Sequence, residues 1–146
     1  MPQINDAEIT SVYSASVTLA QVEDNEPNTP AAGGGAPATT FDVVLEAVAG
    51  NAIGNSGANY TLTLTCYDET TGDLAPAAMS RTSNEQFNSA DGWQLSVGAQ
   101  NFFKQAVATI TVPGGVRGHV FRYVATLVSD NNDIVSFKES NRFILV

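Results

Sequence analysis

The sequence predicts an all-β domain, an antiparallel sandwich of roughly seven to nine strands with Greek-key connections. Two observations support this class. Apolar side chains recur with period two along most of the chain, and no sustained 3.6-residue pattern interrupts them. Turn signals rich in Gly, Pro, Asn and Asp separate the apolar segments at intervals of roughly 8 to 15 residues. We therefore expect almost no helix.

Length and composition indicate one domain over residues 1–146. The chain has 146 residues, of which 43% are hydrophobic and 14% charged, and ~150 residues is close to the commonest domain size. The single cysteine excludes a disulfide within the chain, and one Cys with one His excludes Fe–S, c-type haem and multi-histidine zinc sites. We expect no cofactor.

The charge balance excludes two classes of partner. The formal net charge is −9, from 15 acidic and 6 basic residues, and the basic residues are scattered among the acids. Binding to nucleic acid or to an anionic membrane surface requires clustered cations, so neither is expected. The first eight residues carry acids where a signal peptide has basic and apolar regions. The expected location is cytoplasmic, or outside the cell by export without a classical signal peptide.

The first part of the chain predicts two strands separated by a loop. Residues 9–22 are rich in Val, Thr, Ser and Ile, which favours a pleated, half-buried strand. Residues 23–40 are rich in Pro, Gly and Ala and predict a flexible loop, because they have too little apolar side chain to offset the entropy of ordering. Residues 41–49 resume the strand pattern, with Asp42 and Glu46 on the face opposite the apolar residues.

Residues 60–67 show the clearest alternation in the chain. Their even-numbered members predict a core face, and the threonines between them predict a solvent face. Gly72 suits the left-handed position of the following turn, so residues 74–79 are expected to return as a short strand. Pro76 places that strand at a sheet edge, because proline cannot donate to a ladder.

The second part of the chain predicts further short strands. Residues 81–91 are polar and indicate an irregular segment that ends in an Asp91-Gly92 turn. Strands are expected at residues 93–97, 106–112, 119–129, 134–137 and 142–146. The side chains predicted to point inward are Val43, Leu45, Leu62, Leu64, Cys66, Ile110, Val112, Tyr123, Ala125, Leu127 and Ile144.

The segments 60–66, 113–115 and 121–125 resemble parts of immunoglobulin-like and fibronectin-III-like domains. Residues 113–115 form a Pro-Gly-Gly corner, and residues 121–125 look like the penultimate strand of such sandwiches, with an aromatic that anchors the loop. The resemblance is to a fold and implies a two-sheet sandwich. A C2-like or jelly-roll sandwich is the alternative with the same pattern.

Candidate catalytic residues are few, and we predict that the chain is not an enzyme. His119 is the only imidazole, so any Ser-His-Asp or Cys-His arrangement would need it, but no G-x-S-x-G motif occurs. An ordinary histidine at a loop edge is the favoured interpretation. Cys66 lies on the predicted apolar face, which favours a buried thiol. The rival hypothesis is a hydrolase that uses carboxylates alone.

Asp130 and Asp133 are weak calcium candidates within the Asp-Asn-Asn-Asp run. The run is not an EF-hand loop, because its sixth position is Val135 instead of Gly and its twelfth is Asn141 instead of Glu. The same residue types are also favoured in hairpin turns. We therefore predict no metal site and favour a plain turn.

The sequence predicts that this domain binds a protein, either a different protein or a second copy of this chain. Residues 143–146 form an apolar terminal strand that could pair with another edge, and low charge favours assembly. The candidate partner-binding residues are Trp93, Phe102, Phe103 and Phe143. These features predict a non-catalytic structural or protein-interaction module that assembles with itself. The alternative is a carbohydrate-binding or adhesin module, assisted by calcium, with aromatics such as Trp93, Phe102 or Tyr67 exposed.

Overall fold

A computed structural model describes residues 6–19, 22–29, 35–96 and 101–146. This part of the chain contains ten strands and no α-helix, which confirms the predicted all-β class. The number exceeds the predicted seven to nine because β4, β6 and β10 are strands of only two residues. The strands are β1 (Ala7–Ala15), β2 (Thr40–Gly50), β3 (Asn59–Asp68), β4 (Asp73–Leu74), β5 (Arg81–Gln86), β6 (Gln94–Leu95), β7 (Asn101–Thr111), β8 (Val120–Ser129), β9 (Val135–Glu139) and β10 (Phe143–Ile144). Short 3₁₀ turns lie at Val17–Leu19, Ala77–Met79 and Ser89–Asp91. Within these ranges there is no helix of the length and apolarity required to cross a membrane.

The strands form two antiparallel sheets that pack face to face. Sheet A has the order β1-β2-β7-β6, and sheet B has the order β10-β8-β3-β4. In sheet B, β5 also pairs with β3, and β9 also pairs with β8. The chain therefore passes between the sheets after β2, β5 and β7, and the core lies between the two inner faces.

Alternation along the central strands determines which side chains enter the core. In β3 and β8 every second residue is buried, and the residues between them are partly or fully exposed. Nine of the eleven predicted inward residues are buried: Val43, Leu45, Leu62, Leu64, Cys66, Ile110, Tyr123, Ala125 and Leu127. Val112 is partly buried against the same core. The prediction for Ile144 has the wrong phase, because Phe143 and Leu145 are the buried neighbours.

Several predicted segments have different bounds in the structure, and β7 begins at Asn101 instead of residue 106. The first strand ends at Ala15, opposite Asp42, and a 3₁₀ turn follows, because β2 continues only two residues beyond that pair. The return strand expected at 74–79 is limited to β4, at an edge of sheet B, and Pro76 precedes the 3₁₀ turn. The segment 81–91 is not irregular throughout, since its first six residues form β5 against β3.

Glycine and asparagine occupy the turns that need a left-handed backbone. Gly72 has φ +80° between β3 and β4, as predicted, and Asn132 has φ +62° between β8 and β9. Part of the loop predicted at 23–40 lies outside the described residues, namely residues 30–34. The single domain over residues 1–146 stays a prediction, as does the flexibility of that loop.

Candidate protein-binding surface

The aromatic residues proposed as partner anchors occupy different environments. Trp93 and Phe143 are each 1% exposed, so the structure corrects the expectation that they face a partner. Trp93 packs on Tyr60 and Phe87, and Phe143 packs in an aromatic cluster with Phe41. Their large apolar area makes burial the favoured outcome once both sheets are in place.

Phe102 and Phe103 point to opposite faces of β7, as their adjacent positions require. Phe102 is half-buried against the core, and a Cβ at Gly54 would overlap its ring. Phe103 lies on the outer face of sheet A and is 38% exposed. Tyr67 is half-buried under the guanidinium of Arg122, 5.0 Å from the ring centroid. Phe103 is therefore the candidate that most resembles a surface anchor.

Residues 143–146 do not form an open sheet edge. On one side, Phe143 and Ile144 pair with β8. On the other side, the N–H of Ile144 donates to the carbonyl of Asn25 at 2.8 Å, and the N–H of Val146 donates to Asn28 Oδ1 at 3.1 Å. The expectation that this segment offers itself to another chain is corrected, because the loop at 22–29 covers its free side.

The most exposed apolar side chains of sheet B lie on β9. Val135 and Phe137 are 67% and 66% exposed. In register, Val135 lies beside Val128 and Phe137 lies beside Thr126, so the apolar surface continues onto the outer side of β8. We call Val128, Val135 and Phe137 the β9 face. The sequence places residues 134–137 on a strand, but it gives no sign that this strand lies at a sheet edge.

Charged residues border the β9 face on one side. Arg122 donates to Glu69 Oε1 at 2.7 Å and to Glu139 Oε1 at 3.0 Å, and Arg142 lies 3.7 Å from Glu69. The hydrogen bond from Arg122 lowers the pKa of the Glu69 carboxyl. Arg122 and Glu69 are half-buried, and Glu139 and Arg142 are exposed, so these ion pairs add orientation more than stability.

A buried polar network links β7 of sheet A to β5 of sheet B. Lys104, only 6% exposed, points inward from β7, and its ammonium lies 3.4 Å from Glu85 Oε1 on β5 and contacts the carbonyl of Asp91. The Tyr60 hydroxyl donates to Glu85 Oε1 at 2.6 Å and accepts from Trp93 Nε1 at 2.9 Å. Burial, with the Glu85 hydrogen bond, raises the pKa of Tyr60. This network satisfies every polar group that Trp93 and Lys104 bring into the core.

His119 holds a carboxylate at the turn after β3. Its Nδ1 donates to Asp68 Oδ2 at 2.7 Å, and Asp68 Oδ1 accepts from the N–H groups of Thr70 and Thr71. Burial opposes ionisation of Asp68, but these hydrogen bonds outweigh it and lower the pKa of the carboxyl. The pair is suited to holding the turn against β8. The absence of enzyme activity stays a prediction.

The thiol of Cys66 is fully buried on the core face of β3. Burial raises its pKa to about 12, with a smaller contribution from Asp68. The thiolate needed for nucleophilic chemistry is therefore suppressed near neutral pH.

Asp130 and Asp133 lie in the turn between β8 and β9. Asn131 Nδ2 donates to Asp133 Oδ2 at 2.9 Å, and Ser129 Oγ donates to Asn131 Oδ1 at 2.9 Å, as is typical of a turn. In the described ranges no group of three His, Cys, Asp or Glu side chains could hold a metal ion. Asp130 and Asp133 stay weak calcium candidates.

No protein-family model matches the chain, and no curated protein matches it. Among solved structures, the chain is similar to BcpA, the major pilin subunit of Bacillus cereus, with a TM-score of 0.43 and 13% sequence identity. The alignment covers 92% of this chain and 39% of the pilin chain. A likeness at this level indicates neither a family nor a function.

Proposed function

We propose that this domain is a non-catalytic structural or protein-interaction module that assembles with itself through the β9 face. The observation that carries the proposal is the exposure of Val135 and Phe137, about two thirds each, at alternate positions of one edge strand. Apolar side chains grouped on an accessible strand are a recurrent feature of protein interfaces. We also propose that the two sheets are arranged as in immunoglobulin-like domains.

The backbone of β9 supports strand pairing as the mode of contact. The Ser129 N–H donates to the Ile134 carbonyl, and the Ser140 N–H donates to the Tyr123 carbonyl. Because hydrogen bonding alternates along an antiparallel pair, the backbone groups of Val135 and Phe137 point away from β8. β1 of the other sheet lies beside β9 and contacts it through the Ser136 side chain, whose Oγ accepts from the Ile9 N–H at 3.0 Å, but within the described residues it forms no ladder with the β9 backbone. Unpaired backbone groups beside apolar side chains favour addition of another strand.

The test is the mass of the protein in solution, measured by light scattering and sedimentation over a wide concentration range. The wild type is expected to associate, and Phe137→Ser should weaken association at least tenfold. Leu74→Ser is the matched control, because Leu74 is 63% exposed on β4, at another edge of the same sheet. A strict monomer at about 1 mM, or equal effects of both substitutions, would refute the proposal.

A calcium-assisted carbohydrate-binding module is the second candidate. An open cavity of about 780 Å³ near the β8–β9 turn is lined by carboxylates and amides, the groups that bind calcium and sugar hydroxyls. Its polar lining includes Asp6, Asn59, Asp130, Asn131 and Asp133. EDTA should then lower the thermal stability and added calcium should restore it. If neither changes the melting temperature, calcium has no part in this domain.

A further inference from the structure

A lateral slot opens between the sheets where β5 and β7 face each other. Its volume is about 220 Å³. The floor is apolar and belongs to the core, and its leucines are at most 7% exposed. Small side chains form part of the walls, so the slot leads toward the floor from the side. The floor consists of Leu45, Leu62 and Leu64, and the walls include Ser83, Ala106 and Ala108.

A cation lies at each end of the lateral slot. At one end, the Lys104 ammonium is held by Glu85. At the other, the Arg81 guanidinium donates to the carbonyls of Ala78, Ser80 and Thr109. In the described part of the chain Arg81 has no carboxylate partner, so this end of the slot attracts a negative group.

The edge of β7 beside the lateral slot pairs with no strand of the described residues, and it is contacted there by Arg81 at the Thr109 carbonyl. Within the described residues, β6 pairs with β7 only at Phe102 and Phe103. The Val112 N–H donates to the Thr39 carbonyl. This bond determines which residues of β7 direct their backbone N–H and C=O groups toward β2 and which direct them outward. The backbone of Ala108 therefore faces β2, and the backbone of Val107 and Thr109 faces outward.

We propose, building on the proposed function, that the lateral slot receives β9 of a second copy of this chain. In this arrangement the incoming β9 runs parallel to β7. In a parallel pair, a residue whose backbone faces its partner strand lies opposite a residue whose backbone faces away. Phe137 of the incoming strand then lies opposite Ala108 and bonds to Val107 and Thr109. Opposite residues share a face, so the Phe137 ring enters the slot.

Size and charge both favour this occupant. A cavity of about 150 Å³ already holds a benzene ring, so the slot has room for the ring of Phe137. Glu139, two residues further along β9, is carried to the end of the slot where Arg81 lies. Arg81 leaves the Thr109 carbonyl, which the incoming strand takes, and pairs with the carboxylate of Glu139, which exchanges the Arg122 of its own copy for this partner.

The arrangement predicts head-to-tail growth. In sheet B, β9 lies on one side of β8, and β5 lies beyond β3 on the other side. The donating strand and the lateral slot are therefore separate surfaces of one molecule. A contact between two different surfaces leaves one of each free, so copies add into an open filament instead of a closed pair.

The experiment mixes two variants that each lack one surface. Phe137→Ser keeps the slot but lacks the ring, and Ala108→Phe fills the slot but keeps β9. Each alone should associate at least tenfold more weakly than the wild type, and an equimolar mixture should form a 1:1 heterodimer by sedimentation. Arg81→Glu is a second slot variant on an exposed side chain, and Arg81→Glu combined with Glu139→Arg should restore association.

The outcomes separate this inference from the proposed function. If both slot variants assemble like the wild type while Phe137→Ser does not, the slot is refuted and the β9 face pairs in another way. If the wild type is a monomer at every concentration, both the slot and the proposed function are refuted. Thermal unfolding of each variant establishes that it is folded before its association is compared.

Discussion

Replacing Lys104 with methionine tests whether the buried network holds the two sheets together. The substitution keeps an unbranched side chain that is one atom shorter and removes its charge, which leaves Glu85 on β5 without its cation. Breaking a buried ion pair costs about 3–5 kcal/mol. Glu85 keeps the hydrogen bond from Tyr60 and is partly open to solvent, so we expect a loss near the lower value, about 3 kcal/mol.

The double variant separates the contribution of the ion pair to stability from the contribution of side-chain packing. Lys104→Met with Glu85→Gln removes both charges, and the amide oxygen that replaces the carboxylate can still accept from Tyr60, so the double variant should cost less than the sum of the single variants. Urea denaturation, followed by the fluorescence of Trp93, measures the free energy of unfolding. The variants are compared only where the slope of this free energy against urea concentration (the m value) is the same. A cost below about 1 kcal/mol for Lys104→Met, or simple additivity, would show that the network does not link the sheets.

Leu64→Ala should cost about 2–4 kcal/mol by denaturation, while Thr63→Ala, on the other face of β3, should cost less than about 1; equal costs would contradict the alternation. Because the pKa of Asp68 is lowered on folding, its carboxylate stabilises the protein above the usual Asp pKa, and this contribution is lost as the pH falls through the lowered value. The stability difference between the wild type and Asp68→Asn should therefore be larger at neutral pH than under strongly acidic conditions, and a difference independent of pH would exclude the linkage. Cys66, with a pKa of about 12, should resist a thiol reagent at neutral pH until the protein is unfolded, and rapid labelling of the native protein would contradict its burial. Asn132→Ala should cost about 1 kcal/mol because φ is +62°, whereas Asn132→Gly should be close to neutral, as calorimetry can check.

Local pattern was sufficient to predict the strands that are buried on one face. In residues 60–67, period two determines which side chains are inside, because any slip of register would expose the whole apolar set. Gly72 was predictable for a similar reason, since the turn requires a left-handed backbone that glycine adopts at low cost. These features depend on neighbours within a few residues.

β5 could not be predicted, because its sequence is polar and contains no apolar alternation. It is a strand because β3 supplies hydrogen-bond partners along its length. For the same reason the sequence did not predict the lateral slot, because one of its walls is β5. The β9 face also requires the structure, which shows that β9 pairs with β8.

The sequence by itself determined the class of fold, the core faces of β3 and β8, and the left-handed turn at Gly72, because these depend on the chemistry of adjacent residues. The tertiary structure alone decided which aromatic residues are inside and which charges are buried. Trp93 is enclosed and Phe137 is exposed although both lie on short predicted strands, and Lys104 is buried because Glu85 reaches it from the opposite sheet. Burial of a large or charged side chain depends on distant segments that cover or neutralise it, and the order of residues along one strand does not contain that information.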